Sequence, residues 1–470
     1  MNLCLYVWNV LVSMSRGYSF CLAHTLSYSL AALQEMNLAY KYPIIFWDCA
    51  CLITDSGGVE DEEKEQNSVN YEKIAVAIGK MKNAGIEIIP PDINKSKYTF
   101  TPDALNNRII FGLAGISNVG EDLIQEIIRK RPYTSLEDFY EKTHFRKQAN
   151  ISLIKSGAFD QLEPNRKYAL AWYIWKTCNK KTRVTLQNMS MLSSFNLLPE
   201  DKEKFAVYEF NRYLKSFCKY TEDNYKLDER AINYLSNKEQ IKIEMDNEGN
   251  FILNIKKWEK YYNSEMDFYR NWMKENKNFI LQTLNDNIFL EDWNKYAKGN
   301  YSHWEMESLC FYYHKHELSN VNNFKYGLVD FTKLPEQPIP IKSFKKGEHI
   351  IEMYNLVKIA GTCIAKNKDK GIVTILTTTG VINVRLRKEQ FAFYDKQISE
   401  INSKGEKKIL EKSWFSRGNL IIVQGIRRGN EFVAKKYKST PGHTIYKINN
   451  INDDGTLMLS FDRLKGEENV

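Results

Sequence analysis

Cysteine is sparse and scattered, with eight residues at 4, 21, 49, 51, 178, 218, 310 and 363 and no pair of CxxC elements among them. That excludes a zinc ribbon and a disulfide-stapled secreted scaffold, and it implies reduced, cytosolic thiols. No apolar run approaches the length of about 20 residues that a bilayer crossing needs. Leu3–Val12 is apolar but has neither a basic leader nor a small-residue cleavage site, and it reads as the buried face of a truncated element. Of the seven histidines, His314 and His316 flank Lys315, have no cysteine or carboxylate companions at metal-ligand spacing, and read as surface positions. Solenoid-type repeats are also missing.

What is present is length and a lopsided charge. A chain of 470 residues predicts two to four domains. The net charge is +8, yet residues 342–447 alone hold 22 Lys and Arg against 9 Asp and Glu. The rest of the chain is therefore mildly acidic, and a local cationic segment without a membrane span points to nucleic acid. The 28 Tyr and 24 Phe suit either core packing or base stacking.

Along the chain the pattern predicts an α+β multidomain protein, with a mostly helical N-terminal two-thirds followed by a small β-barrel. Ser56–Gln66 reads as a solvated acidic loop. Tyr71–Ala84 carries apolar residues at helical spacing (Ile74, Ala75, Ala77, Ile78, Met81), stops at Gly85 and runs extended into Pro90-Pro91. Lys202–Phe217 and Trp258–Leu281 read as helices. After Pro335, Pro338 and Pro340 come five β-type runs: Asn355–Ala365, Gly371–Thr378, Val381–Leu386, Leu420–Gly425 and Glu431–Lys436.

One motif carries chemistry. FGLAGISNVG at 111–120, followed by EDLIQEII, has the form of a helix-hairpin-helix with its hairpin at Ile116–Gly120. Such a turn, built from Ser117, Asn118, Val119 and Gly120, exposes amides beside the positive end of the next helix, where a phosphate oxygen can sit. The other reading is a plain connection between two helices. Around Lys155, Ser156 and Gly157 the chain offers either a second, degenerate module or a helix C-cap.

Several ordered segments together resemble the alpha subunit of bacterial DNA polymerase III. GYSFCLAH at 17–24 with Tyr28, then LAYKYP at 38–43 with Phe46, is similar to the fingers segment of that family, and KMKNAGIEIIPPDIN at 80–94 with Phe100 to the stretch leading out of it. The hairpin, SLEDF at 135–139 and LIKSGAFD at 153–160 follow at family-like spacing. EMESL at 305–309, Tyr313 and His316–Leu318 resemble the element before the family's oligonucleotide-binding barrel, and Gly361, Gly371–Leu376 and Thr379–Val381 resemble its first hairpins. Leu22 and Ala23 stand where the family has Lys and Ser, and residues 171–300 match no part of it.

The resemblance implies partial fingers at 1–100, tandem helix-hairpin-helix modules at 101–170, a helical connector at 171–335, an OB-fold at 342–448 and a tail at 449–470. It implies a cytoplasmic, phage-type component of a DNA-directed DNA polymerase in a bacterial host. The duplex of a primer–template would lie on Ser117–Gly120 and Lys155–Gly157, and single-stranded template on Arg385, Arg387, Lys388, Arg427, Arg428 and Lys435. Phe391, Phe393, Tyr394 or Phe432 would be available for stacking; a solvated basic face around a core is the alternative. His24 would face the nucleotide or pack within the fingers. Gln187, Met191 and Leu192 are the nearest match to the family's sliding-clamp peptide, or packing residues at helical spacing. Met1 falls inside the fingers, so the palm is expected on a separate chain, with the Mg2+ ions of nucleotidyl transfer bound there and no cofactor here. Asp92 and Glu60–Glu63 do not form a substitute carboxylate set. The competing reading is a stand-alone, non-enzymatic DNA-binding protein or an inactive polymerase remnant.

Overall fold

The computed structural model describes residues 3–12, 22–55, 71–83, 85–143, 146–221, 223–238, 240–346, 349–401, 407–437, 442–463 and 468–469. They divide into two units, the first made of residues 1–170 and 299–470 and the second of residues 171–298. No helix among the described residues is long and apolar enough to cross a membrane.

After short helical turns over Leu3–Tyr6 and Val7–Val12, the first unit continues with helices α1 (Leu22–Lys41), α2 (Ile44–Asp55) and α3 (Tyr71–Asn83). Pro43, which cannot continue a helix from within, separates α1 from α2. Ile45, Cys49 and Leu52, spaced by one helical turn, bury one face of α2. All five apolar positions read for α3 are buried, and Gly85 ends the run at a φ of +80°. A three-stranded sheet follows, in which Glu87–Ile89 pairs parallel with Arg108–Ile110, and Thr101–Asp103 pairs antiparallel with the latter. Leu3, Leu5, Tyr6 and Trp8 are exposed, which corrects the buried face expected there.

Next come α4 (Glu121–Arg129), α5 (Leu136–Lys142), α6 (Lys147–Lys155) and α7 (Arg166–Thr177). The Ser135 side chain caps α5 by accepting from the Asp138 amide at 3.1 Å.

The second unit is built on α8 (Lys202–Phe217), α9 (Ile255–Glu275) and α10 (Lys277–Tyr296), with a small four-stranded sheet. Its core gathers Phe210, Leu214, Trp258, Met266, Tyr269, Ile280 and Leu284. Trp258 is fully buried, and its Nε1–H donates to Asn211 Oδ1 at 3.0 Å, so the polar atom of the largest core residue is satisfied. The sequence reading anticipated one helix over 258–281, whereas the chain breaks at Asn276 into two.

Back in the first unit, α11 (Tyr301–Leu309) leads through a loop to the hairpin of β1 (Pro340–Lys346) and β2 (His349–Tyr354). Then β3 (Val357–Asn367), β4 (Ile372–Thr377), β5 (Gly380–Arg385), helix α12 (Lys388–Asp395), β6 (Leu420–Arg428) and β7 (Glu431–Ala434) form the barrel. β3 pairs antiparallel with β4 and with β6, β4 with β5 and β6 with β7, and the parallel β5–β7 pair closes the ring. A closed five-stranded ring with a helix between its third and fourth strands is the OB arrangement expected from the sequence. Gly425 is required by that closure, because a Cβ there would lie 2.1 Å from the Val433 carbonyl oxygen. The barrel interior is filled by Ile359, Val373, Ile375, Val384, Trp414, Ile421 and Phe432. Residues beyond 448 continue this structure: β8 (Ile445–Ile451) pairs with β6, and β9 (Leu457–Ser460) with β8.

Candidate nucleic-acid interface

The hairpin is anchored from below and open above. Phe111, Leu113, Ile116 and Val119 are buried. The Ser117 amide donates to the Ser308 carbonyl at 2.8 Å, and Asn118, at a φ of +67°, donates from Nδ2 to Ser152 Oγ at 3.0 Å. A short polar side chain in the left-handed region is what this turn asked of position 118. Gly120 then caps α4 in extended conformation with no side chain over the helix end. Among the described residues, the amides of Gly120, Glu121 and Asp122 meet no acceptor, and all three residues are exposed. They converge at the positive end of the helix dipole. The carboxylates of Glu121 and Asp122 stand in the same first turn and offset part of that field.

The turn after α6 is closed instead. Gly157 lies at a φ of +85°, and a Cβ there would sit 2.3 Å from Arg166 Nη2. The amides of Gly157 and Ala158 donate to the carbonyls of Ile154 and Leu153, and the buried Ser156 donates from Oγ to Leu153 O at 2.8 Å. These bonds make a glycine C-cap. The Lys155 ammonium is buried and paired at 2.5 Å with Glu307, whose own side chain is half-exposed, so its charge is balanced at the protein's edge.

Beside that turn stands a residue the sequence reading did not single out for a role. Glu305 is fully buried and accepts from Arg166 Nη1 at 3.0 Å, from the amides of Tyr313 and His314 at 2.9 and 3.0 Å, and meets His314 Nδ1 at 2.5 Å. Asp160 takes the other side of the same guanidinium at 2.7 Å. A buried carboxylate with four such partners is fully satisfied, which is the condition for keeping a charge in the interior. His316, expected on the surface, is buried: it accepts from the Leu318 amide at Nδ1 and sits 2.9 Å from the Leu376 carbonyl of β4 through Nε2. Those partners fix the neutral, Nε2-protonated ring, and burial holds its pKa below the ordinary value.

On the barrel these cations fall into four states. Arg385 is bidentate to Glu431 at 2.8 and 2.9 Å. Arg427 is half-buried and donates to the carbonyls of Gly429 and Leu334 at 2.8 and 2.7 Å, an internal strut. Arg387 and Lys388, at the start of α12, are exposed, and no carboxylate among the described residues pairs with them. Arg428 and Lys435 lie over Tyr354, at 5.9 and 4.9 Å from the ring centroid, and Lys435 also lies 5.3 Å from the Tyr437 ring. Of the four aromatics considered for stacking, Phe391, Tyr394 and Phe432 are core residues and Phe393 is exposed.

In the second unit Leu192 is fully buried, Met191 packs against the same core, and Gln187 is exposed. His24 is exposed on α1. Asp92 Oδ1 accepts from the Asn94 and Lys95 amides, a turn-forming role, and Glu60–Glu63 lie outside the described residues. Among the described residues no three His, Cys, Asp or Glu side chains converge as a metal ion requires.

Residues 85–169 match the family model described as a helix-hairpin-helix motif. The chain is 37% identical over 480 residues to the "Probable DNA polymerase YorL" of Bacillus subtilis (strain 168) and, equally, to the "DNA-directed DNA polymerase" of Bacillus phage SPbeta. Both alignments cover 98% of this chain and 36% of the relative. The "DNA polymerase III subunit alpha" of Saccharopolyspora erythraea is 32% identical over 157 residues, 32% of this chain and 12% of its own. The chain is a homologue of the two phage-linked DNA polymerases. It spans about a third of their length. Within it, the helix-hairpin-helix region and the closed barrel are both present. The EMESL element that carried part of the resemblance turns out to supply Glu305 and Glu307, the partners of Arg166 and Lys155. A signal for that was available in principle: a carboxylate in an otherwise apolar helix face needs a partner.

Proposed function

We propose that this chain holds DNA for a polymerase III alpha-type polymerase, gripping the primer–template duplex at the hairpin and single-stranded template along the barrel. Nucleotidyl transfer is assigned to palm carboxylates, with their Mg2+ ions, on a separate chain. The observation that carries the reading is the open amide cluster of Gly120–Asp122 at the head of α4, inside a matched helix-hairpin-helix region of a polymerase homologue. Backbone amides at a helix N-terminus bind phosphate without reading sequence, as a replicative enzyme needs. Arg387 and Lys388 supply free cations for the single strand, with Arg428 and Lys435 beside the Tyr354 and Tyr437 rings. A contact with a sliding clamp would have to use Gln187, since Leu192 belongs to the core.

Gly120→Asp tests the duplex grip. A Cβ at 120 meets nothing within 4 Å, so the fold is left intact. Aspartate is as good an N-cap as glycine or better, so the melting temperature should hold or rise slightly. A carboxylate over the amide cluster should nonetheless weaken duplex binding about tenfold, or ~1.4 kcal/mol. Unchanged affinity in a filter-binding titration at low salt would remove the hairpin from the interface. In the same series, addition of a palm-bearing polymerase chain is expected to yield primer extension that neither component gives alone.

A further inference from the structure

The second unit carries an aromatic and cationic surface that belongs to neither hairpin nor barrel. Its residues from Ala171 to Pro199 hold four Lys and Arg and no Asp or Glu. Three of the four, Lys180, Lys181 and Arg183, follow closely after α7, and none of them pairs with a carboxylate among the described residues. This segment is fixed in place. The Lys181 amide donates to Asn285 Oδ1 at 2.7 Å, and Asn285 Nδ2 donates back to the Lys181 carbonyl at 3.1 Å, which holds the backbone against α10. Arg183 is exposed, and Lys180 and Lys181 are partly so. An aromatic ring stands beside these cations: Trp175 is 42% exposed, and the Lys180 ammonium lies 4.6 Å from its centroid. The Phe289 ring of α10 supports that indole edge-on at 5.8 Å and itself stacks with Trp293 at 5.9 Å.

A lone exposed indole would carry no inference. An indole backed by other rings and edged by three cations without carboxylate partners is the chemistry of single-strand binding, in which a base stacks on the ring and the neighbouring phosphates take the cations. A duplex fits less well, because its bases are stacked on one another and reach a ring only by unstacking. An acidic polypeptide would satisfy the cations but brings no planar face to the indole with each residue. The ammonium over Trp175 is no obstacle, since a cation on an exposed ring is held weakly and exchanges readily for a phosphate. We propose that this surface of the second unit binds single-stranded nucleic acid, with one base on Trp175 and adjacent phosphates on Lys180 and Arg183. The inference rests on the DNA-holding reading above and adds a single-strand site separate from the one on the barrel.

The test uses the full chain and an oligodeoxythymidine strand carrying 5-iodouracil, read by titration and by mapping the photocrosslinked peptide. Crosslinking at Trp175 is expected in the unsubstituted chain. Lys180→Ala with Arg183→Ala should weaken single-strand binding about tenfold and lower the slope of log affinity against log salt by about 1.4, at roughly 0.7 per phosphate contact. Trp175→Ala should weaken it about fivefold or more, and Trp175→Phe should restore most of the loss, since a base stacks on a phenyl face as well. These forms are expected to keep the circular dichroism and the duplex affinity of the unsubstituted chain. Unchanged affinity and slope in the substituted forms, or no crosslink within residues 171–183, would overturn the proposal. So would displacement of the Trp175 crosslink by polyglutamate as effectively as by unlabelled strand at equal charge, which would mark the surface as one for acidic protein. If the unsubstituted chain binds neither duplex nor single strand, the DNA-holding role itself falls, and that result is read before any substitution is made.

Discussion

At the scale of single residues, the chain keeps its charges inside only where every hydrogen-bonding site is met. Glu305, Arg166 and Lys155 are all nearly inaccessible and all paired. His316 is the exception that depends on staying neutral, because the Leu318 amide needs a lone pair at Nδ1. Its folded pKa is held below the ordinary 6.5 by burial, so the stability it contributes is complete above that value and is lost as pH falls through it. His303 runs the other way, since its bond to Glu317 raises its pKa and its contribution fades as pH rises. The comparison that isolates His316 is therefore between two forms sharing His303. His316→Asn retains an acceptor for Leu318 and a donor for Leu376, and its melting temperature should fall less than that of the unsubstituted chain between about pH 7.5 and 5.5. Parallel thermal denaturation curves for both forms across that range would count against a titrating His316.

At the scale of elements, what could be read from the sequence was what repeats along it. The barrel strands alternate between an interior and an exterior, and α3 carries a single apolar stripe; both patterns survive translation into structure. The break at Asn276 was missed because the polar run Lys274–Asn278 that holds it contains no Gly or Pro to mark a helix end. The clamp-like peptide could not be told from packing by spacing, and Leu192 went to the core. Glu305 and Arg166, 139 positions apart, meet only through the fold. Charge state along the barrel was equally hidden: the sequence shows a cation at 385, and only the structure shows Glu431 bound to it. Arg387→Ala with Lys388→Ala should therefore lower the slope of log affinity against log salt for single-stranded DNA by about 1.4, at roughly 0.7 per phosphate contact. Removing Arg385 and Glu431 together should leave that slope unchanged. If the balanced pair proves to control the salt dependence and the free pair does not, the path of the strand lies elsewhere on the barrel.

At the scale of the whole molecule, the second unit is an insertion with closely spaced ends in the first. The Arg166 guanidinium lies 5.3 Å from the Tyr301 ring, and Tyr301 OH donates to Asn165 at 3.5 Å, so the chain leaves and re-enters the first unit at one point. Replacing residues 171–298 by a linker of roughly eight Gly and Ser residues should span that gap. The shortened protein is expected to melt cooperatively and to bind duplex DNA within about threefold of the full chain. Loss of the first unit's cooperative melt would show that residues 171–298 are part of its fold. In the segment 305–318, Ser308 holds the hairpin through the Ser117 amide and His316 holds the barrel through the Leu376 carbonyl. Hairpin and barrel are thereby mounted on one short beam, like the two jaws of a caliper, and a shift of that beam is felt by both.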